Sequence, residues 1–485
     1  MDLKPGSHVH LMGICGTAMA SLAGLLKSRG YRVTGSDSNP YPPMSTQLEE
    51  LQIPVVRGYK RANLTPRPDF VIVGNVISAS NEEAQELIKL QIPYTSLPKA
   101  MGELIIGQRD CICVSGTHGK TTTTSLMSWI CEVAGLKPGF LIGGIPRNFS
   151  QSFQNPQKNL FVIEGDEYDT AFFDKVPKFV HYRPKHVILT SVEFDHVDIY
   201  PDFAAVKQAF AKLMRMIPRE GSLIVWSGDE AEEESETLAE LRSLTNTAQV
   251  FTYGFLKGQY RCEVLEITQT GTRFRVTHSP ASNSNSNKIL GDFEMPMFGD
   301  YNVLNATAAI VQANLLGIEM SVVKKALAGF LGVKRRQEIL GEPGGVLVIE
   351  DFAHHPTAVR ETLKGIRSCY PGRKVFAVFE PRSATSRRKV FQKEYGRAFQ
   401  SADAILIAEA FDQSKIQEQD RFSSSELVAD LVQSHKTALS LPGADAIVDY
   451  LGEASRAGDL IVIMSNGGFD GIYQKLIKRL SERKK

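Results

Sequence analysis

A glycine-rich segment with a lysine and several hydroxyl residues follows a predicted strand near residue 115. The apolar strand CICVSG runs into a turn and then into a predicted helix. Backbone N–H groups and a helix amino terminus meet at such a turn, where they can bind phosphate oxygens. Lys120 supplies a cation for the terminal phosphates, and Thr121 supplies a hydroxyl that can ligate Mg²⁺. The predicted phosphate-binding residues are Gly116, Thr117, His118, Gly119, Lys120, Thr121 and Thr122.

The segment departs from the full G-x-x-x-x-G-K-[ST] pattern, because Val114 stands where that pattern has its first glycine. The alternative is a glycine turn that only caps a helix, but it leaves the lysine and the run of threonines unexplained. We expect Lys120 to be exposed in a loop before substrate binds.

Carboxylates and a histidine follow the next two predicted strands. The strand LFVIE ends in Glu164, and the strand HVILTS is followed by His196 and by further acids. Because the carboxyl ends of parallel strands meet at one edge of a sheet, these side chains should lie near the phosphate loop. Each acidic group alone could also be a solvated loop. Asn302 lies at the start of a predicted helix, and Asp351 lies at the end of a predicted strand. Each could bind nucleotide, but Asn302 could equally be a helix cap and Asp351 a polar group of the core.

The alternation of strands and helices predicts an α/β protein of three domains. A Rossmann-like amino-terminal domain spans residues 1–108, a central P-loop ATPase-type α/β domain 109–332, and a Rossmann-like carboxy-terminal domain 333–485. The third domain is expected to begin with the strand VLVIEDF.

The composition argues against several partners. A formal net charge of +1 gives no overall field for nucleic acid or an anionic membrane. No apolar run reaches the roughly 20 residues of a membrane span, and no signal peptide is recognisable, which favours a cytoplasmic protein. The six cysteines show no paired C-x₂-C spacing and are expected to be buried thiols.

Read together, the motifs GTHGKTTT, IEGDEYD, EFDHVDIY, YNVLNATAA, KRRQE and EDFAHHPTA resemble those of the Mur ligases, in the same order along nearly the whole chain. The amino-terminal GICGTAM and GSD resemble the domain that binds UDP-N-acetylmuramate in this family. The resemblance implies a ligase that activates a carboxylate as an acyl phosphate with ATP and Mg²⁺ and joins it to an amine.

Site roles follow from the same resemblance. The implied catalytic residues are Lys120, Glu164 and His196, and the implied metal ligands are Thr121 and Glu164 for one Mg²⁺ and His196 for a second. Further nucleotide contacts are implied for Asn302, Arg336 and Asp351. The implied donor-binding residues are Gly13, Gly16, Thr17 and Asp37.

Two acceptors occur among the family members that use this donor. The segments GFLIGGIPRNF, EPRSATS and MSNGGFDGI resemble the branch that adds the recycled murein tripeptide L-Ala-γ-D-Glu-meso-diaminopimelate, which we favour over the branch that adds L-alanine. The predicted acceptor-binding residues are Arg382, Asn466 and Gly467, since they follow strands of the third domain. Two other classes stay open, a nicotinamide-dependent oxidoreductase and a nucleotide-binding regulator without catalysis.

Overall fold

Three main β-sheets organise the chain in this computed structural model. The structure describes residues 3–40, 44–228, 232–247, 249–279 and 287–482. Strands such as Val375–Phe379 and Leu460–Met464 are buried at every residue, as expected for parallel sheets that are covered on both faces.

The amino-terminal sheet has five parallel strands in the order β3-β2-β1-β4-β5. The strands are β1 (His8–Met12), β2 (Arg32–Asp37), β3 (Val55–Arg57), β4 (Phe70–Val73) and β5 (Tyr94–Ser96). The helices are α1 (Thr17–Ser28), α2 (Met44–Glu50), α3 (Glu82–Lys89) and α4 (Leu97–Ala100). Parallel strands that alternate with helices match the Rossmann-like pattern expected for this part of the chain.

The central sheet has ten strands in the order β17-β16-β15-β14-β13-β12-β6-β9-β7-β8, and a two-stranded hairpin, β10 with β11, lies beside it. The strands are β6 (Asp110–Ser115), β7 (Gly139–Leu141), β8 (Phe153–Gln154), β9 (Leu160–Gly165), β10 (Asp169–Ala171), β11 (Asp174–Pro177), β12 (His186–Leu189), β13 (Ser222–Trp226), β14 (Val250–Gly254), β15 (Tyr260–Thr268), β16 (Gly271–His278) and β17 (Lys288–Met295). The helices are α5 (Lys120–Val133), α6 (Phe203–Met216), α7 (Glu232–Ser243), α8 (Asp300–Leu315) and α9 (Met320–Ala328). Strands β6, β9 and β12 are adjacent and parallel, so their carboxyl ends open at one edge.

The carboxy-terminal sheet has six strands in the order β18-β19-β23-β20-β21-β22. The strands are β18 (Glu338–Gly341), β19 (Leu347–Asp351), β20 (Val375–Phe379), β21 (Ala404–Ala408), β22 (Thr437–Leu441) and β23 (Leu460–Met464). The helices are α10 (Pro356–Cys369), α11 (Gln392–Ala398), α12 (Ser424–Gln433), α13 (Ala444–Ala454) and α14 (Ile472–Ser481). The expectation that this unit begins with VLVIEDF is wrong, because the short antiparallel strand β18 precedes that segment and pairs with it.

Close packing joins the amino-terminal domain to the central one. A Cβ built on Gly24 of α1 would lie 2.1 Å from the Phe153 ring, so glycine lets the helix approach β8. The guanidinium of Arg29 adds a hydrogen bond to Asn155 at 2.6 Å. The precise domain boundaries stay a prediction, although each main sheet falls inside one of the three expected ranges.

Two further expectations concern membrane-spanning helices and the cysteine thiols. Among the described residues, no helix combines the length and the apolar character that a membrane span requires. All six cysteines are buried free thiols, as the sequence predicts.

Candidate active site

The phosphate loop connects β6 to α5 at the open edge of the central sheet. Gly116 and Gly119 have φ values of +131° and +79°, a region that residues with a side chain rarely adopt. A Cβ on Gly119 would also meet Asn305 Oδ1 at 2.4 Å. The chain therefore needs glycine at both positions to turn tightly before the helix.

Lys120 is not exposed in a loop, which corrects the sequence-based expectation. It is the first residue of α5, and its side chain is 15% exposed. The ammonium group donates to Gly116 O at 2.6 Å and to Glu167 Oε2 at 3.0 Å. Burial opposes the charge, but the carboxylates of Glu167 and Asp166 outweigh it and raise the pKa of Lys120.

Glu167 lies between Lys120 and His196. Its carboxylate is 2% exposed, and its Oε1 lies 3.3 Å from His196 Nε2. Burial disfavours an imidazolium here, yet the hydrogen bond and charge of Glu167 raise the pKa of His196 to about 9. A cation, a carboxylate and a protonated histidine thus form one group beside the loop, and the carboxylate is its most deeply buried member.

Glu164, the acid that the sequence analysis gave as a catalytic residue, lies outside the group formed by Lys120, Glu167 and His196. It accepts from the Thr121 hydroxyl at 3.0 Å and from the backbone N–H of Gly143. Burial raises its pKa despite these hydrogen bonds. The predicted pair Thr121 and Glu164 is therefore together, whereas Glu164 contacts neither Lys120 nor His196 through a hydrogen bond or ion pair in the described part of the chain.

The donor atoms near the loop suit a hard divalent cation. Ligand atoms of Asp166, Glu167 and His196 lie within 4.8 Å of one another. Mg²⁺ prefers carboxylate oxygens and keeps several waters when it is bound to a protein. The carboxylates of Asp166 and Glu167 are therefore suitable ligands. Thr121 with Glu164 supplies a second set of oxygens next to the same loop.

A cavity of about 780 Å³ extends from the loop to the carboxy-terminal domain. The predicted nucleotide residues Asn302, Arg336 and Asp351 all line it, as do Thr117 and Thr122. Its volume falls within the range typical of small-molecule sites. The structure thus brings these residues together at one cavity, and their contacts with ATP stay a prediction.

Internal hydrogen bonds hold the cavity's polar residues in place. Asn302 donates to Phe298 O at 2.9 Å and to Gln337 Oε1 at 3.2 Å. Asp351 accepts from the backbone N–H of Gln337 at 2.8 Å, and burial raises its pKa. The phenol of Tyr301 accepts from Gln337 Nε2 at 2.6 Å. Gln337 therefore links residues of α8 to the end of β19.

The sequence did not identify the contacts that join the central and carboxy-terminal domains beside this cavity. The Thr357 hydroxyl donates to Glu193 Oε2 at 2.7 Å, and the Thr385 hydroxyl donates to Asp195 Oδ1 at 2.5 Å. Burial lowers the pKa of His355 to about 4, and the neutral ring lies 3.2 Å from Phe194 O through Nε2. Nothing in the local pattern signals these pairs, because more than 160 residues separate His355 from Phe194.

The predicted donor residues meet at the first glycine loop. Gly13, with φ +80°, follows β1, while Gly16 and Thr17 begin α1. Asp37 ends β2, and its Oδ2 accepts the backbone N–H of Cys15 at 2.9 Å. The carboxylate therefore lies against the loop, and donor binding by these four residues stays a prediction.

The predicted acceptor residues also lie together. Gly467 packs against the Arg382 side chain so closely that a Cβ there would lie 2.1 Å from Arg382 Cδ. Arg382 forms an ion pair with Glu380 at 3.2 Å and stacks on Phe411, with 3.8 Å between the guanidinium carbon and the ring centroid. The Oδ1 atom of the neighbouring Asn466 is buried and has no hydrogen-bond partner among the described residues.

Comparison with known proteins gives this geometry a family. Sequence profiles match residues 8–109 (Mur ligase family, catalytic domain), 114–313 (Mur ligase middle domain) and 335–467 (Mur ligase, glutamate ligase domain). The chain is 36% identical, over 98% of both chains, to the UDP-N-acetylmuramate–L-alanyl-γ-D-glutamyl-meso-2,6-diaminoheptandioate ligase of Escherichia coli strain K12. The chain belongs to the Mur ligase family.

Structural comparison agrees with this membership. The crystal structure of a murein peptide ligase from Psychrobacter arcticus matches with a TM-score of 0.73 and 35% identity, covering 99% of this chain and 100% of that one. A UDP-N-acetylmuramate–L-alanine ligase of Desulfitobacterium hafniense strain Y51 is 30% identical over 97% of this chain and 99% of its own.

Mur ligases are ATP-dependent amide ligases, and the chain is an enzyme of that class. The predicted three-domain α/β fold is confirmed, and an oxidoreductase is no longer an alternative.

Proposed function

We propose that this Mur ligase joins the tripeptide L-Ala-γ-D-Glu-meso-diaminopimelate to the carboxylate of UDP-N-acetylmuramate, with ATP as co-substrate. The observation that carries the proposal is the 36% identity over nearly the whole chain to a ligase named for this tripeptide. The corresponding value for the alanine ligase from Desulfitobacterium hafniense is 30%. The reaction would return a recycled cell-wall peptide to a nucleotide-linked precursor.

In the proposed reaction, ATP occupies the cavity between the central and carboxy-terminal domains. Lys120 and the N–H groups of the phosphate loop hold the terminal phosphates, while Asn302, Arg336 and Asp351 lie around the rest of the nucleotide. Positive charge fixed beside the transferred phosphoryl group stabilises the charge that develops in the transition state. Lys120 is suited to this role because hydrogen bonds to Gly116 O and to Glu167 fix its ammonium group beside the loop.

Mg²⁺ is the proposed metal cofactor, which Thr121 and Glu164 would hold at one position and Glu167 with His196 at a second, where the His196 imidazolium would first have to lose its proton. When bound, it neutralises phosphate charge and polarises the oxygens to which it binds. Glu167 is added to the residues expected from the sequence, because it contacts both Lys120 and His196.

The donor is proposed to bind at the loop of Gly13, Gly16 and Thr17, with Asp37 beside it. A carboxylate oxygen of the donor attacks the γ-phosphorus of ATP and ADP leaves, so the donor becomes an acyl phosphate whose carbonyl carbon carries a good leaving group. The amino terminus of the tripeptide then attacks that carbon and expels phosphate. An amide bond forms without direct attack on an unactivated carboxylate.

The acceptor is proposed to lie near Arg382, Asn466 and Gly467. A tripeptide carries carboxylates far from its reacting amine, and a guanidinium can bind a carboxylate through two parallel hydrogen bonds. Phe411 and Glu380 already fix the plane and position of the Arg382 guanidinium. The buried Oδ1 of Asn466, which has no hydrogen-bond partner within the described ranges, offers an acceptor for a peptide N–H.

A labelling experiment tests the acyl-phosphate chemistry. The full chain is supplied with ATP, Mg²⁺, the tripeptide and UDP-N-acetylmuramate whose carboxylate carries a heavy oxygen isotope. We expect one labelled oxygen to appear in inorganic phosphate and the product mass to equal donor plus tripeptide minus water. Reactions without donor or without tripeptide serve as controls. Unlabelled phosphate accompanied by amide product would exclude this mechanism.

A further inference from the structure

A buried carboxylate lies within the amino-terminal domain, close to the proposed donor loop. Glu83, the second residue of α3, has a side chain with 0% exposure. His10 Nε2 lies 2.8 Å from its Oε1, the Ser36 hydroxyl donates to the same oxygen at 3.0 Å, and Asn63 Nδ2 donates to Oε2 at 2.8 Å. Burying a carboxylate without hydrogen-bond partners costs free energy of folding. The three partners satisfy the carboxylate of Glu83 and thereby fix its position.

Two of these partners also hold segments that border the donor loop. The carbonyl of Ser36 accepts the backbone N–H groups of Gly13 at 2.8 Å and Ile14 at 3.1 Å. Asn63 donates through its amide to Gly58 O at 2.9 Å. One carboxylate therefore connects the end of β2 with the segment after β3, on either side of the glycine turn.

Asp37 belongs to the same arrangement. It follows Ser36 directly, its backbone carbonyl accepts the N–H of Gly58 at 2.7 Å, and its side chain accepts the N–H of Cys15. A shift of Ser36 would therefore move both the loop and the carboxylate proposed to face the donor. Glu83 itself is fully buried and has no surface to offer a ligand.

We propose that Glu83 is a positioning residue for donor binding. By fixing Ser36 and Asn63, it holds the loop that begins at Gly13, together with Asp37, in the conformation that receives the uridine nucleotide. The inference rests on the proposed donor site and adds a residue that acts on it through other residues. It predicts that loss of the Glu83 carboxylate affects donor binding far more than ATP binding, because ATP is proposed to bind in another domain.

Glu83→Gln in the full chain tests this role. Glutamine keeps the shape but removes the negative charge, and its amide NH₂ donates where the carboxylate oxygen accepted, so His10 and Ser36 would have to exchange their donor roles for acceptor roles. We expect the Kd for UDP-N-acetylmuramate, measured by calorimetry, to rise about tenfold. The Kd for ATP should stay within about twofold of the wild-type value. Without any donor present, the amides of Gly13 and Ile14 should exchange with solvent faster than in the wild type.

Thr34→Val is the matched control. The Thr34 hydroxyl bonds to His8 and His10 at 2.8 Å each, at the far end of the same network, and within the described part of the chain it forms no hydrogen bond with Ser36 or Asn63. The control should lower the Tm by an amount similar to Glu83→Gln and leave the donor Kd unchanged. Equal weakening of donor binding in both variants would mean that general loss of stability explains the effect, and the inference would be wrong.

The positioning role of Glu83 and the proposed donor site can be disproved separately. If wild-type protein binds UDP-N-acetylmuramate and Glu83→Gln binds it equally well, only the positioning role is wrong. If wild-type protein binds ATP but not UDP-N-acetylmuramate, the proposed donor site is wrong and the inference falls with it.

Discussion

The ammonium of Lys120 lies 3.0 Å from Glu167 Oε2, while the other carboxylate oxygen of Glu167 lies 3.3 Å from His196 Nε2. One buried carboxylate thus connects the phosphate loop to the segment that follows β12. The relationship brings a lysine and a histidine separated by about 75 residues to the same side of the loop. It also makes the three side chains testable as a unit.

Lys120→Ala should abolish most of the ligase activity. Loss of a fixed positive charge at the transferred phosphoryl group costs about a hundredfold or more in kcat. The measurement is the rate of ADP release at saturating substrates, with Tm recorded for both proteins. Lys175→Ala is the matched control, because Lys175 is a 66% exposed lysine that pairs with Asp169 on the nearby hairpin. A turnover for Lys120→Ala close to that of the control would rule out the proposed role.

Glu167→Gln should weaken the response to Mg²⁺. An amide keeps the size of the side chain but removes the negative charge that a hard cation prefers. We expect the Mg²⁺ concentration for half-maximal rate to rise by about tenfold or more, and Glu164→Gln to shift it in the same direction. Asp169→Asn provides a nearby acid outside the two proposed ligand sets. If both glutamate variants kept the wild-type Mg²⁺ titration, the metal would have to bind elsewhere.

His196 predicts a defined pH dependence of stability. Its pKa is raised to about 9 in the folded protein, above the ordinary value of 6.5, because Glu167 favours the imidazolium despite burial. A raised pKa stabilises the folded state fully below pH 6.5, and this stabilisation is lost as the pH rises through 9. The difference in free energy of unfolding between wild type and His196→Gln should therefore shrink between these values, by on the order of 2 kcal/mol. Denaturant unfolding in metal-free buffer at several pH values measures it, and a constant difference would contradict the ion pair.

Arg382→Ala should raise the KM for the tripeptide much more than the KM for ATP. The substitution removes a guanidinium proposed to contact the acceptor alone, so about a tenfold change is expected. Gly467→Ala should act similarly, because a methyl group there would lie 2.1 Å from Arg382 Cδ and must displace that side chain. Gly468→Ala is the control, since a Cβ at that position meets no heavy atom within 4 Å. Equal KM values for the tripeptide in all three variants would exclude this surface as the acceptor site.

Much of the phosphate site follows from local sequence. The strand, the two glycines and the lysine predict the loop between β6 and α5, and the acid-ended strand predicts Glu164 at its edge. The burial of Lys120 could not be read from that pattern, because it depends on Glu167, which lies beyond the end of β9. Tertiary packing, not periodicity, decides which of several neighbouring acids turns towards the lysine.

The contacts between the central and carboxy-terminal domains were even harder to predict from the sequence than the burial of Lys120. The bond from Thr385 to Asp195 and that from Thr357 to Glu193 depend on how two separate sheets pack together. Neither threonine carries a local signal that distinguishes it from a solvated loop or helix-cap residue. The family resemblance implied nucleotide contacts for Asn302, Arg336 and Asp351, and the structure identifies side chains that join the two domains to which these residues belong.

The most direct test of the central claim compares the two acceptors on the wild-type chain. With UDP-N-acetylmuramate, ATP and Mg²⁺ supplied, kcat/KM is measured from ADP release for L-Ala-γ-D-Glu-meso-diaminopimelate and for L-alanine, and each product is identified by its mass. We expect the tripeptide to be preferred by about a hundredfold or more, equivalent to at least roughly 2.7 kcal/mol of transition-state binding. A higher kcat/KM for free L-alanine would contradict the account and assign the chain to the alanine-adding reaction.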